Sequence, residues 1–423
     1  MHHNRSIATL VSLISFALFA APALTPVIAE AAGTGGRLDP TFGQSGFTIV
    51  PHTVYSVNDV RVDANGRIVT SVDFAGMGNA IGGFGVDRLL PNGAPDDSFG
   101  SGGIAVAQFA NGINFAMSTA TQTDGKVVAV GTAESLPSGV RAIAIARFAS
   151  NGMLDQGFGS GGRVMPAVAG ATQTGAESVM VLADGKILVG GSALFATGPQ
   201  GILIRLNADG SPDASFGSEG IVETGLPGTV NGLGVQADGK IVALAGTAAA
   251  RFRASGTRDP RQARGTLVAE THIGTSALRS DERIVAVFAR ADNGSGSDID
   301  TQAQRFFPNG TVDASFQSPL FDFVVSNPDI FANEAHALAI LTNGSVVVGG
   351  GGQPAVAVTE FGLARLLAGG RLDRTFGRGG IVASKLNGNC EVDALGLESN
   401  GDIVAAGQSF DSTGGLVVAR YLP

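Results

Sequence analysis

Two short motifs bring a histidine and three carboxylates close together in the chain. Glu334 and His336 flank a single residue, as do Glu391 and Asp393, and Glu177 is a further acidic position upstream. A histidine and carboxylates can bind a divalent cation, or they can donate and accept protons in catalysis. Whether these side chains meet depends on the elements that position them, which the rest of the sequence identifies.

The composition disfavours several other kinds of site. The chain has 423 residues and a formal net charge of −9, whereas nucleic-acid-binding proteins are usually basic, so we expect no nucleic-acid partner. Its single cysteine allows neither an internal disulfide nor a cysteine-based metal cluster. The sequence has no Gly-x-Ser-x-Gly, His-Glu-x-x-His or phosphate-loop motif, so no catalytic residues are predicted from motifs.

One unit recurs along the chain with a mean spacing of about 56 residues. Its marker is an aspartate three residues before a phenylalanine, and these phenylalanines are Phe42, Phe99, Phe158, Phe216, Phe316 and Phe376. An arginine precedes the aspartate by eight residues in six copies, at Arg88, Arg147, Arg205, Arg251, Arg305 and Arg365. The constant interval predicts a structural unit in which the aspartate caps a turn and pairs with the arginine, while the phenylalanine is buried between units.

Four short β-strands are predicted in each unit. In the third copy, the alternating segment 178–182 leads through Asp184-Gly185, a hairpin turn signal, into a second strand at 186–189, and two more strands follow. One such sheet would leave two faces and two edges exposed, so the copies must stack. The sequence therefore predicts an all-β fold, a seven-bladed β-propeller of four-stranded antiparallel blades.

The two ends of the chain carry complementary parts of the unit. The first copy begins at Asp39 without the preceding arginine strand, and the chain ends with an arginine strand at 416–422 without the following aspartate turn. We therefore predict that the N-terminal strand, which runs to Val50, pairs with the C-terminal blade and closes the ring.

Alignment of the copies on the hairpin glycine reveals a variable position eight residues upstream of it. The residues at this position are Asn58, Met117, Glu177, Asn231, Gly274, His336 and Asp393. In a propeller, this strand of the hairpin is the innermost one, so these residues would surround one mouth of the central channel. A ligand or cation site is predicted there from Glu177, Glu334, His336, Glu391 and Asp393. The alternative interpretation is a solvated polar mouth.

The repeated pattern resembles the bacterial delta-60 repeat family of β-propellers. The clearest segment is 205–217, Arg-Leu-Asn-Ala-Asp-Gly-Ser-Pro-Asp-Ala-Ser-Phe-Gly, and a hairpin segment follows from Gln236. The resemblance covers residues 37–423 and implies a propeller fold with an exported or surface location; it brings no catalytic residues with it. The fifth copy departs from the pattern, with Gln262 in place of phenylalanine and Glu282 in place of the hairpin glycine.

A cluster of arginines in the irregular fifth copy is a second candidate surface. The cluster consists of Arg251, Arg253, Arg258, Arg261 and Arg264, within fourteen residues of an acidic chain. It could dock an anionic partner, for example at a cell surface. The alternative is a solvated edge that compensates for the irregular copy.

Residues 1–31 predict a secretory signal peptide. Arg5 precedes an apolar segment at 7–24, and a small-x-small cleavage pattern ends at Ala31; cleavage after Ala23 and an uncleaved membrane anchor are the alternatives. Residues 32–423 would then form the propeller domain, secreted or periplasmic, with no membrane span after cleavage.

The leading functional hypothesis is an exported, non-enzymatic scaffold that acts as a monomer and binds a protein, a cell-surface component or a small molecule. No cofactor is predicted, although the sequence is compatible with a divalent cation at the channel mouth. The rival hypothesis is a cation-dependent hydrolase or lactonase-like enzyme that uses Glu177, His336 and Asp393 at the channel mouth.

Overall fold

The computed structural model describes fourteen segments of the chain. They are residues 35–50, 54–74, 83–109, 112–246, 248–260, 265–266, 273–279, 281–291, 299–307, 311–323, 334–355, 358–386, 388–410 and 415–423. The predicted signal peptide, residues 1–31, lies outside them. Within these segments the regular elements are β-strands, and there is no apolar helix of a length that could cross a membrane.

The strands form seven antiparallel sheets, here called blades 1 to 7 in chain order. The first strand, β1 (Phe47–Val50), belongs to the last blade. Blade 1 contains β2 (Val54–Val62), β3 (Ile68–Phe74), β4 (Gly83–Leu89) and β5 (Ile104–Ala107). Blade 2 contains β6 (Gly112–Thr121), β7 (Val127–Ser135), β8 (Val140–Phe148) and β9 (Arg163–Val164). Blade 3 contains β10 (Gln173–Val181), β11 (Ile187–Phe195), β12 (Gly198–Leu206) and β13 (Ile221–Pro227).

The second half of the ring follows the same order. Blade 4 contains β14 (Gly232–Val235), β15 (Ile241–Ala245), β16 (Ala248–Phe252) and β17 (Gly265–Thr266). Blade 5 contains β18 (Ile273–Leu278), β19 (Ile284–Ala291) and β20 (Ile299–Phe306). Blade 6 contains β21 (Glu334–Ile340), β22 (Val346–Ala355), β23 (Val358–Leu366) and β24 (Ile381–Ser384). Blade 7 contains β25 (Ala394–Leu397), β26 (Ile403–Ser409) and β27 (Gly415–Tyr421), and β1 pairs with β27.

Blade 5 is the irregular member of the ring. Among the residues described, it has three strands, and a single bridge between Thr301 and Phe321 occupies the position of the fourth. Its hairpin forms although Glu282 replaces glycine, because Glu282 adopts the left-handed conformation with φ of 67°. The predicted seven-bladed β-propeller is confirmed.

The first strand of each blade lies innermost. The strands β2, β6, β10, β14, β18, β21 and β25 each contact the next one in this order, and β25 contacts β2. Seven first strands in an unbroken circle of contacts enclose a central channel, as the sequence predicted.

The ring is closed by the two ends of the chain. Strand β1 pairs antiparallel with β27, with Ile49 opposite Val417. The predicted closure is confirmed. The outermost strand of blade 7 comes from the N-terminal end of the chain, and the other three strands come from the C-terminal end.

The arginine, aspartate and phenylalanine form one contact unit in the six repeats that have the phenylalanine. In blade 3, Arg205 Nε donates a hydrogen bond to Asp213 Oδ2 over 2.7 Å, and the guanidinium carbon lies 4.4 Å from the centre of the Phe216 ring. Asp213 also accepts the backbone N–H of Ser215, which caps the turn, and Arg205 Nη1 donates to the carbonyl of Ala254 in blade 4. The corresponding ion pairs are Arg88–Asp96, Arg147–Asp155, Arg251–Asp259, Arg305–Asp313, Arg365–Asp373 and Arg420–Asp39.

The hydrophobic core lies between neighbouring blades. Val128 and Ile145 of blade 2, for example, belong to the same buried cluster as Val189 and Ile204 of blade 3. Because each blade presents one face to each neighbour, burial of apolar surface depends on the assembled ring.

The structure corrects the position of the arginine cluster. Arg251 lies in β16, so Arg251, Arg253 and Arg258 belong to blade 4, whereas the sequence assigned them to the fifth copy. The difference arises from where each unit starts. A sequence copy was counted from the aspartate turn, whereas a blade starts at its innermost strand and ends after that turn, so the arginines before and within the turn belong to the preceding blade.

Candidate functional site in the central channel

Five of the seven variable positions coincide with irregularities in the innermost strands. The strand register shifts by one residue at Asn58, Met117, Glu177, Gly274 and His336. In blades 4 and 7, Asn231 and Asp393 immediately precede β14 and β25, where the regular ladder begins. A β-bulge leaves one residue unpaired and redirects its side chain, so the fold can present that side chain to the channel. In blade 5 the bulged residue is Gly274, which has no side chain.

Glycines on the second strand of the hairpin make room for this distortion. A Cβ atom on Gly131 would lie 1.9 Å from the carbonyl oxygen of Phe115, and one on Gly407 would lie 1.8 Å from that of Glu391. Both distances are impossible for real side chains, so only glycine allows the backbones to approach this closely.

The redirected residues form the floor of a cavity inside the ring. The cavity has a volume of about 650 Å³ and is lined by residues of all seven blades. Its lining begins at residues such as Asn58, Glu177 and His336 and continues to hairpin-turn residues such as Asn65 and Gly125. Six of the seven variable positions contribute to the lining, and blade 5 contributes Thr275, the neighbour of Gly274.

His336, Glu391 and Asp393 converge at the junction of blades 6 and 7. One side-chain ligand atom from each of the three lies within 4.8 Å of the other two. His336 Nδ1 is 3.5 Å from Asp393 Oδ1, and the two side chains are 30% and 20% exposed. The structure thus brings together three of the five predicted site residues, as a candidate ligand set for a metal ion.

The backbone of blade 7 holds the carboxylate of Asp393, and a glycine of blade 6 packs against Glu391. Asp393 Oδ2 accepts a hydrogen bond from the backbone N–H of Gln408 over 3.1 Å. Burial raises the pKa of Asp393 above its usual value, and the neighbouring imidazole of His336 opposes that shift. A Cβ on Gly351 would lie 2.9 Å from Glu391 Oε2, so this glycine leaves space for the glutamate.

Glu177 lines the same cavity from blade 3. Burial raises its pKa to about 7, and the negative charge of Asp73 adds to the shift. A carboxyl group with this pKa exchanges its proton near neutral pH, so it can act as an acid or a base.

A polar network between blades 1 and 2 was missed by the sequence analysis. Asp73, which is buried at the end of β3, accepts hydrogen bonds from Ser56 Oγ, Asn58 Nδ2 and the backbone N–H of Ala116, at 2.6, 3.0 and 2.7 Å. Burial raises the pKa of Asp73 although these bonds oppose the shift. Asp73 lies seven residues after the hairpin glycine of its copy, and the residues at the same position in blades 6 and 7 are Gly351 and Gln408. The carboxylate at this position is the signal from which the sequence could have identified Asp73.

The structure describes only some of the side chains of the remaining candidates, which are Glu334 and the arginine cluster. The backbone of Glu334 pairs with Gly351 in β21 and β22, but its side chain is outside the described residues, as are Arg261 and Arg264. Arg251 pairs with Asp259 over 2.9 Å, so its guanidinium belongs to the framework of the blade. Arg258 Nη1 donates to the carbonyl of Thr224, and Arg253 is exposed. The anionic-partner surface stays a prediction.

The fold and the site define a seven-bladed β-propeller that is assembled from sequence repeats and has a polar central cavity. Residues 122–158, 182–216 and 341–376 match the family model described as a domain of unknown function (DUF5122) β-propeller. Each match begins at a hairpin turn and ends at the repeat phenylalanine, so it covers the second and third strands of blades 2, 3 and 6 and the aspartate turn that follows. These matches support membership of a β-propeller repeat family. No curated protein matches the chain.

Several solved structures align with this chain at low identity. A gluconolactonase from Xanthomonas campestris is 13% identical, with 79% of this chain and 96% of that chain covered and a TM-score of 0.40. The PQQ-bound aldose sugar dehydrogenase from Streptomyces coelicolor is 12% identical, with 93% and 99% covered and a TM-score of 0.40. At such similarity, no activity follows for this chain.

Proposed function

We propose that this protein is an exported β-propeller scaffold that binds a polar small molecule in its central channel. One observation carries the proposal: a cavity of about 650 Å³ whose floor consists of residues that differ from blade to blade, within an otherwise repeated framework. Cavities of roughly 300–1,000 Å³ suit small-molecule ligands. Residues that vary around one cavity on a repeated framework are what a rigid scaffold with one specific site requires.

The charges of the cavity define the kind of ligand. Arg61 pairs with Asp59 over 3.1 Å and Arg67 pairs with Asp63 over 2.6 Å, so these charges along the wall compensate one another. The floor adds further carboxylates, Glu177 among them. A ligand that brings a positive group, either an amine or a metal ion, fits this floor best.

Export is the second part of the proposal. The apolar segment at 7–24 and the small-x-small pattern that ends at Ala31 support a cleaved signal peptide. The resemblance of the repeats to the delta-60 family supports the same location.

Calorimetric titration tests the channel site. At pH 8, above the pKa of Glu177 of about 7, we expect wild-type protein to bind one of three probe sets: polyamines, amino acids or amino sugars. Glu177→Gln removes the carboxylate and should weaken that binding about 10- to 100-fold, the usual effect of losing a charged hydrogen bond. Asp184→Asn, in an exposed hairpin turn, is the matched control and should bind like wild type. The absence of binding by all probes, or equal binding by Glu177→Gln, would contradict the proposal.

A cation-dependent hydrolase is the second candidate, favoured by one observation. The pKa of Glu177 is about 7 in a cavity that also contains His336 and Asp393, which suits a general base at neutral pH. Hydrolysis of lactones or esters by wild type with added divalent metal, and its loss in Glu177→Gln, would favour this candidate over a scaffold. Equal rates for the two proteins would exclude a role of Glu177 in hydrolysis.

A further inference from the structure

The geometry points to a transition-metal site at the junction of blades 6 and 7, with His336, Glu391 and Asp393 as ligands for an ion such as Zn²⁺ or Co²⁺. The inference rests on the proposed function, because the ion would lie at the floor of the ligand cavity. It goes further by naming the ion, its ligands and the class of molecule that reaches it.

The spacing of the donor atoms supports coordination better than a direct hydrogen bond. Two ligand atoms at about 2.1 Å from a tetrahedral Zn²⁺ lie roughly 3.4 Å apart. His336 Nδ1 and Asp393 Oδ1 are 3.5 Å apart, a separation close to that of two ligands of one ion. It is longer than the usual N–H···O hydrogen bond of about 2.7–3.2 Å.

The third donor is within reach of the same point. A carboxylate oxygen of Glu391 lies within 4.8 Å of the ligand atoms of His336 and Asp393. Binding of an ion would draw this oxygen to about 3.4 Å from the other two ligand atoms. Gly351 packs against Glu391, and a Cβ on Gly351 would lie 2.9 Å from Glu391 Oε2.

The surroundings hold the ligands in the way that metal sites require. The Gln408 N–H binds Asp393 Oδ2 and leaves Oδ1 directed to His336. Metal-binding carboxylates are usually held by such a second hydrogen bond. His336 in turn comes from the bulge of β21, so its direction is fixed by the backbone.

The identity of the ion follows from the donor set. An imidazole nitrogen with two carboxylates suits Zn²⁺ and its neighbours, whereas Ca²⁺ requires about six to eight oxygen ligands. Three protein ligands leave a fourth position, and His336 and Asp393 both border the cavity. A molecule with a carboxylate or hydroxyl oxygen could therefore complete the coordination from the channel.

Titration of chelator-treated full-length protein with Zn²⁺ alone, and with Co²⁺ for its visible spectrum, tests the site. We expect one ion per chain in wild type and a Co²⁺ spectrum of low-coordinate nitrogen and oxygen ligation. His336→Ala and Asp393→Asn should each weaken Zn²⁺ binding by at least about 100-fold, whereas Asp184→Asn, in the exposed hairpin turn, should leave it unchanged. The variants keep the other histidines of the exported chain, His52 and His272, so binding by these residues would persist and be recognised.

A positioning variant sharpens the test. Gly351→Ala adds a methyl group beside the Glu391 carboxylate and should weaken Zn²⁺ binding about 10-fold while His336 is intact. If His336→Ala fails to fold, His336→Gln replaces it. Unchanged Zn²⁺ affinity in the His336 variant, or no saturable binding by wild type, overturns the inference. If the organic probes still bind in that case, the proposed channel function stands; if they also fail, both are wrong.

Discussion

At the scale of single residues, Asp87 is a carboxyl group whose buried surroundings oppose its negative charge. It lies in β4, fully buried, and burial raises its pKa to about 7. It directly precedes the repeat arginine, and the residues at the same position in four other blades are Ala146, Ala250, Ala364 and Ala419. The repeat itself thus indicates that a small apolar side chain fits this position.

Asp87→Ala should stabilise the protein in a pH-dependent way. The ordinary pKa is 3.8, so the folded protein holds a proton that the unfolded chain releases between pH 3.8 and about 7. The unfolding free energy of wild type therefore falls as the pH rises through this interval, and the alanine variant escapes that loss. We expect its advantage to be on the order of 1–4 kcal/mol larger at pH 8 than at pH 4.

Urea unfolding at the two pH values measures this difference. Asp97→Ala, an exposed position in the same blade, is the control and should show the pH dependence of wild type. If Asp87→Ala also follows wild type at both pH values, the burial of a protonated carboxyl at this position is wrong.

Single residues of the site were predictable where the chain signals them by breaking the repeat. Alignment on the hairpin glycine found Glu177, His336 and Asp393 because they occupy one register position. Asp73 and Asp87 were missed because they lie on the second and third strands, outside that register. Their protonation depends on burial, which follows from packing between blades and is not encoded in local spacing.

At the scale of elements, the buried ion pair of each repeat should contribute more to the free energy of unfolding than an exposed ion pair does. Burial alone would raise the pKa of Asp213, but hydrogen bonds from Lys186, Ser215 and Arg205 outweigh it and hold the pKa far below its usual range. Asp213→Asn leaves the guanidinium of Arg205 buried without its carboxylate, and loss of a buried partner costs about 3–5 kcal/mol.

Chemical unfolding measures the free energy of unfolding of Asp213→Asn and of the control Asp184→Asn, which changes an exposed carboxylate. The stabilisation by Asp213 is present above its unfolded pKa of 3.8 and decreases as the pH falls below it, so the deficit should shrink between pH 7 and pH 3. Equal stability of the two variants at pH 7 would show that the pair does not support the blade.

The strands were predicted well except where a bulge interrupts the alternation. In blade 3 the sequence placed the first strand at 178–182, whereas β10 spans Gln173–Val181. The register shift at Glu177 reverses the inward and outward alternation, so a strict period of two recognises only the part after the bulge. The second strand was predicted at 186–189, yet β11 continues through Gly190 and Gly191 to Phe195.

At the scale of the whole molecule, one framework contact is made between the two ends of the chain. Arg420 Nε donates to Asp39 Oδ2 over 2.8 Å, and its guanidinium carbon lies 4.8 Å from the centre of the Phe42 ring. Arg420 Nη1 also donates to the carbonyl of Pro91 in blade 1. Ring closure thus uses the same contacts that join neighbouring blades elsewhere, and it was predictable because each end lacks the half that the other supplies.

The central claim is that this closed ring holds the channel residues of blades 6, 7, 1 and 3 around one cavity, and cross-linking of the two ends tests it most directly. Ile49 lies opposite Val417, and opposed residues of an antiparallel pair have Cβ atoms about 4.5–5.5 Å apart, close enough for a disulfide after a small adjustment. The double variant Ile49→Cys with Val417→Cys should form an intramolecular disulfide on mild oxidation, identified by mass spectrometry. Ile49→Cys with Ser150→Cys, at an exposed position of blade 2, should form none, and buried Cys390 is present in both. A monomer without the 49–417 cross-link would contradict the closed ring.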